Sequence, residues 1–307
     1  MLMKKIPASL FIYAILFSAC KKDKPNNILG TTNDSVLLSQ YIELDTSGSI
    51  IDTISTTIFS YDNAGRNTSI TLTYYDTGMP SNEQYHSQFA YNGTDTFPAT
   101  QTVTTTFPDN EPHYANDLYY YKYANGQVVY DSIIQRSSSS VIRSYIVDNY
   151  TYFNEDIMTT GVAFYYDSMA ALYVESDFSR ASHIQKSKGN IIQQVDTSDN
   201  LNTDSYLFSY DANPNPFFKT QNKLANKNQL SNSYQDYPYY TTDEPRIPDG
   251  FGKNNITEIN AVSNGGLSVY HSYYKYEYNA NGYPSKVRYT SAGNSQFPIV
   301  GVFVYNK

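Results

Sequence analysis

The sequence predicts an all-β fold: an extended, curved antiparallel sheet meander assembled from hairpin units of about 30 residues, with partial closure of the sheet left open, behind an N-terminal signal helix. Three observations predict it. Tyrosine supplies 33 of the 307 residues and phenylalanine 15, while tryptophan is absent. Such a composition suits half-wet sheet faces, where the ring is buried and the hydroxyl keeps a polar partner. Short runs alternate aromatic with polar residues, which is the period of a strand. Between the runs recur Asn, Asp and Gly, which accept the left-handed dihedrals of hairpin turns.

The chain begins with Lys4 and Lys5 ahead of an unbroken apolar run, Leu10 to Phe17. That run is too short for a membrane-spanning helix, which needs about 20 residues. A basic flank, a short apolar stretch and then the small residues Ser18 and Ala19 read as a secretory signal, so residues 1–19 are a signal peptide. Leu16-Phe17-Ser18-Ala19-Cys20 resembles the lipobox of bacterial lipoproteins, with Phe17 standing where Leu is usual. The resemblance implies acylation of Cys20, the only cysteine of the chain, and cleavage before it. Several acyl chains, at about 0.8 kcal/mol per buried methylene, make a lasting anchor in the lipid bilayer. Residues 20–35 form a polar tether with nothing to bury. Lys21 in place of Asp after the cysteine implies, by the sorting habit of enteric-type lipoproteins, passage to the outer membrane. Which face of that membrane is left open.

Residues 36–307 read as one repeat-built β domain. A net charge of −8 argues against nucleic acid as a partner, because phosphates need a positive face. A single cysteine leaves no disulfide within the chain, so packing and ladder hydrogen bonds carry stability.

The hairpin phrase is clearest at Tyr276-Glu277-Tyr278, where alternation puts both rings on one face. Asn279-Ala280-Asn281-Gly282 turns the chain, and Val287 and Tyr289 resume the alternation. Pro284 cannot donate to a ladder and belongs at a strand's start. Related phrases surround Tyr61, Tyr91, Tyr123, Tyr152 and Tyr210. Gly65, Gly93, Gly126 and Gly282 are the turn glycines of four of them. The interval from Tyr152 to Tyr210 is close to two periods, with a worn hairpin at 183–192 in the missing slot. The interval from Tyr210 to Tyr278 reads as two periods plus a short insertion, placed at about 221–255. Residues 165–178 read as an irregular patch, with a helical turn or two at 168–172. The last strand, Pro298 to Tyr305, is apolar on both faces, as for a strand covered on both sides.

The Tyr-Asp/Asn-x-x-Gly phrase resembles the YD repeats of bacterial surface and Rhs-type proteins. Together with Cys20, the Tyr210-Asp211…Asn215-Pro216-Phe217 phrase, Lys253-Asn254-Asn255 and the Tyr276–Tyr289 hairpin, it makes the chain similar to YD-repeat-containing lipoproteins of Bacteroidota-type envelopes. The resemblance implies an extended antiparallel sheet and brings no catalytic residues with it.

Candidate chemistry is sparse. His86, His113, His183 and His271 show no metal-ligand spacing and read as sheet-surface histidines; no metal and no cofactor is expected. Gly-x-Ser-x-Gly and phosphate-loop phrases are absent. Asp62, Asn92, Asp211 and Asn279 stand at turn starts, where they bond local amides. Tyr234, Tyr237, Tyr239 and Tyr240, clustered in the insertion, form the candidate binding surface, because tyrosine offers rigid amphipathic contact area; packing onto the sheet is the competing reading. The chain is expected to serve as a non-catalytic envelope lipoprotein for binding, adhesion or scaffolding, with a glycan, a peptide or an envelope protein as partner. The alternative is a polysaccharide hydrolase using a carboxylate pair. A membrane-spanning barrel fits poorly, since its outward positions should be apolar.

Overall fold

The computed structural model describes residues 36–45, 51–75, 83–106, 116–125, 127–136, 142–153, 156–167, 172–198, 203–217, 252–262, 268–293, 296 and 298–306. The chain divides into residues 1–34 and residues 35–307, and every described residue belongs to the second unit.

Alternating sequence becomes strand wherever it is described. The first strands are β1 (Leu38–Asp45), β2 (Asp52–Tyr61), β3 (Asn67–Tyr74) and β4 (Glu83–Tyr91). Next come β5 (Pro98–Thr106), β6 (Asn116–Ala124), β7 (Gln127–Arg136) and β8 (Ile142–Phe153). They are followed by β9 (Asp156–Asp167), β10 (Leu172–Ser187), β11 (Asn190–Ser198) and β12 (Thr203–Pro214). The last four are β13 (Asn254–Val262), β14 (Ser268–Tyr278), β15 (Pro284–Ser291) and β16 (Ile299–Tyr305). Each strand pairs with its neighbours in sequence, all antiparallel, and β16 returns to pair with β1. The result is a closed barrel of 16 strands. Closure removes both sheet edges, whose unpaired amides and carbonyls are otherwise a liability.

Three expectations change here. The last strand is not covered on both faces: it is bonded along both edges, and Val304 stays 39% exposed on the outside. Its doubly apolar sequence serves the seam, with Val300 and Phe303 packed inside. The patch expected to be irregular at 165–178 is strand on both described sides, β9 reaching Asp167 and β10 starting at Leu172; residues 168–171 lie outside the described residues. Among the described residues the interval from Tyr210 to Tyr278 holds one strand pair, β13 and β14, and β13 pairs directly with β12, so the described part accounts for one period rather than two.

The repeat has a definite physical unit. In seven of the eight even-numbered strands a tyrosine near the turn end donates its hydroxyl to a backbone carbonyl near the start of the preceding strand, at 2.5 to 2.8 Å. The pairs are Tyr61 to Leu38, Tyr91 to Asn67, Tyr123 to Pro98, Tyr152 to Val128, Tyr210 to Ile191, Tyr276 to Ile256 and Tyr305 to Pro284. Six of the seven rings, all but that of Tyr91, pack against the core, and in all seven the one polar atom satisfies a backbone group. Burial raises all seven phenols above their ordinary value, Tyr91 and Tyr152 to about 12. The exception is β10. Its residue across the terminal bulge, where Tyr61, Tyr91 and Tyr123 stand in their strands, is Lys186. The turn there uses Lys188 and Gly189, both at positive φ, so the worn hairpin at 183–192 keeps its turn without the tyrosine.

Alternation sorts the faces. The inward face carries the core, including Leu38, Tyr41, Phe59, Val128, Tyr150, Ile157, Ile184, Ile191, Phe208, Ile256, Ile259, Val287 and Phe303. These lie toward the tyrosine-clamped turns. Further along the strands the same face turns polar, with Glu43, Ser55, Asp131, Ser144, Asp148, Gln194 and Ser272 all buried.

Candidate functional site

Cys20, the residues Leu16, Phe17, Ser18 and Ala19 expected to form a lipobox, and the Tyr234, Tyr237, Tyr239, Tyr240 cluster all lie outside the described residues. So does Gly126, beside Asn125, which itself adopts φ 53°. Gly65, Gly93 and Gly282 stand in turns at φ 73°, 55° and 78°. Their neighbours Asp62 and Asn279 each bond two amides of the following turn through Oδ1, those of Ala64 and Arg66 and those of Asn281 and Tyr283. The Arg66 amide first, then its guanidinium and the Ala64 amide, hold the Asp62 carboxyl below the usual range. Arg66 also reaches the Gly93 and Asp95 carbonyls, at 2.9 Å each, and lies 4.6 Å over the Tyr91 ring. One arginine thereby joins two successive turns.

A polar constellation gathers around Asp211 from β11 to β14, and sequence reading did not assemble it. The Asp211 carboxylate accepts from the Asn213 amide at 2.9 Å, from the Asn255 amide and side chain, and from the Tyr278 hydroxyl. Burial and that bond to Asp211 raise the Tyr278 phenol. Asn190 and Asn254 exchange side-chain and backbone bonds at 3.0 Å, and Asn254 donates to the Asn213 carbonyl. Asn215 accepts from the Phe217 amide at 3.0 Å. The chain is thereby bent so that the Phe217 ring packs against Tyr41 of β1, Phe59 of β2 and Phe303 of β16. The available signal was the density of Asn and Pro after Tyr210. Its partners, Asn190 and Asn254, stand far from it in sequence.

The outward face is segregated by charge. On β12 to β15 it carries Glu258, Lys275, Glu277, Lys286 and Arg288. Ser209 and His271 both bond Glu258, at 3.1 and 2.6 Å, and Tyr273 stacks on His271 with its hydroxyl 3.3 Å from Nδ1. Arg288 first, then Lys286, holds the Glu277 carboxyl below the usual range. His183 faces Asp156 at 3.2 Å and His86 faces Thr71 at 2.9 Å, so three of the histidines sit in cross-strand outer pairs.

Strands β2 to β5 differ. The ladders align Ile58 and Ser60 with Ser69, Thr71 and Thr73, then Gln84, His86, Gln88 and Ala90, then Thr100, Thr102, Thr104 and Thr106. No Asp, Glu, Lys or Arg interrupts that set. Its strands are spaced about 4.8 Å apart. Ile58, Ser60, Gln84, Gln88, Ala90 and Thr106 are exposed. Tyr120, opposite Thr100 on β6, borders the set at 42% exposure. Beyond that border the outer face of β6 to β9 is partly apolar, with Leu118, Ile134, Tyr145 and Phe164 in one cross-strand row.

Inside, Asp131 and Asp148 stand opposite one another on β7 and β8, at 0% and 2% exposure. The Tyr150 hydroxyl lies 3.4 Å from Asp131, and Glu43 accepts from Ser55 at 2.9 Å.

No protein-family model matches the chain, and no curated protein matches it. Among solved structures it is similar to a porin-like protein from Bacteroides vulgatus ATCC 8482, at 12% identity and a TM-score of 0.48, over 89% of this chain and 99% of that one. It is also similar to a porin-like protein from Bacteroides uniformis ATCC 8492, at 11% identity and a TM-score of 0.42, over 87% of this chain and 96% of that one. The closed antiparallel architecture rests on the chain's own ladders.

Proposed function

We propose that this chain is a lipid-anchored envelope protein of the YD-repeat lipoprotein type, whose barrel stands in water and serves a non-catalytic binding, adhesion or scaffolding role. The observation that carries the reading is the sorting of the two faces. A barrel embedded in a bilayer turns an apolar band outward around its whole girth. Here the core is turned in, and the outward positions of β2 to β5 and β13 to β15 are mainly hydroxyls, amides and charges, with Ile58 and Ala90 among the apolar exceptions. Attachment to the membrane then falls to acylated Cys20 at the head of its tether, with the outer membrane as its destination.

The hydrolase alternative would draw on opposed carboxylates, and the ladders set Asp131 opposite Asp148, Asp45 opposite Asp52 and Asp196 opposite Asp204. At 0% and 2% exposure Asp131 and Asp148 give a sugar chain no access, whereas Asp52, opposite Asp45, is exposed, so a hydrolase reading would rest on that second pair.

Cys20→Ala should move the protein from the membrane pellet to the soluble fraction with its barrel intact. A mutant that still sediments with membranes would overturn the anchor and favour an embedded barrel. Protease added to intact and to lysed cells then distinguishes a surface location from a periplasmic one.

A further inference from the structure

We infer that the uncharged outer face of β2 to β5 is the ligand surface, and that it takes a neutral, hydroxyl-rich polysaccharide; this deepens the binding role proposed above. Four adjacent strands of an acidic protein present mainly Thr, Ser, Gln and His outward, with Ile58 and Ala90 as the apolar members, and the aligned set from Ile58 to Thr106 holds no Asp, Glu, Lys or Arg. An exposed sheet face that needs only solvation is ordinarily given mixed charges, as the outer face of β13 to β15 is. A surface of hydroxyls and amides can donate and accept at nearly every position, which matches sugar hydroxyls of either role. It has no fixed charge to attract an ionic ligand, so the complementarity is to an uncharged one. The face is also partly pre-set: Thr71 is held by His86 at 2.9 Å, and Thr73 by Gln84 at 3.3 Å. Tyr120 at its border, 42% exposed, offers a ring face beside the hydroxyls.

Other partner classes fit this face less well. An extended peptide most often joins a sheet by adding a strand to its edge, and a closed barrel has no edge. A protein partner is usually gripped by an apolar or aromatic centre, whereas the middle of this face is Thr71, Gln88 and Thr102. Nucleic acid needs a positive surface.

The test is native-gel retardation of the detergent-solubilised full-length chain by a panel of embedded neutral polysaccharides (glucan, mannan and xylan), with polygalacturonate as the anionic comparison. At least one neutral polymer should retard the protein, equally at about 50 and about 200 mM salt, since no counterions are released. The double change Gln88→Ala and Tyr120→Ser should weaken that retardation by roughly ten-fold or more, through lost hydrogen bonds and ring contact. Lys275→Glu on the charged outer face of β14 should leave it unchanged, and circular dichroism should show both variants folded. Retardation by no neutral polymer, retardation by polygalacturonate alone, or undiminished binding of the folded double variant would each overturn the inference. None of these results bears on the anchor, which membrane sedimentation tests separately. Shortening of the bound polymer would instead overturn the non-catalytic reading while leaving the surface in place.

Discussion

At the scale of single residues, two glycines show how one substitution can fail for different reasons. Gly282 stands at φ 78° with open space where a Cβ would go, so only the backbone objects. Gly282→Val should cost about 1–2 kcal/mol, the penalty of the left-handed region for an L-residue. Gly301 has no unusual φ, but a Cβ there would collide with the ring and hydroxyl of Tyr41, which is 1% exposed and packed against Phe217 and Phe303. Gly301→Ala should therefore cost about 1–3 kcal/mol through overpacking. Urea midpoints for the two variants check both, and an unchanged midpoint for Gly301→Ala would mean that Tyr41 can move aside.

At the scale of the element, the unit is a strand pair locked by one phenol. Replacing Tyr91 with Phe keeps the ring and strips the bond to the Asn67 carbonyl, which should cost about 0.5–1.5 kcal/mol. The same clamps set an alkaline limit. Tyr91 and Tyr152 are raised from 10.0 to about 12 in the folded chain. Their unfolded forms ionise first, so the stability they hold is fully present below pH 10.0 and is lost as pH climbs toward about 12. The urea midpoint should fall steadily across that window, and the decline should be shallower in Tyr91→Phe. A midpoint flat over the whole window would count against buried clamps.

At the scale of the whole molecule, stability rests on the β1–β16 seam and on the Asp211 cluster with the Phe217 ring it leads into. Removing residues 298–307 takes out β16 and leaves β1 and β15 as open edges. The truncated chain should assemble into large species on size exclusion, because unpaired edges seek partners; a well-behaved monomer would show that closure is dispensable. Phe217→Ala should cost roughly 3–5 kcal/mol, since that ring touches Tyr41, Phe59 and Phe303 from three strands. A thermal melt measures it.

Much of this was legible in the chain itself. Strand against helix, the turns at Gly65, Gly93 and Gly282, and the hairpin period all follow from local chemistry, since alternation and positive φ act over a few residues. The resemblance of Leu16 to Cys20 to a lipobox is an expectation of the sequence alone, on residues outside those described. Closure was not legible, because it depends on β1 meeting β16 across the full length of the domain, and no local pattern states which edge a strand will find. The same holds for the polar cluster in which Asn190 meets Asn254, and for the uncharged face. Its residues alternate unremarkably in each strand, and they become one surface only when register lays Thr71, His86 and Thr104 side by side. Local dihedral preference determined the strands and turns; the long-range pairing of ladders decided the barrel, what it buries and what it shows to water.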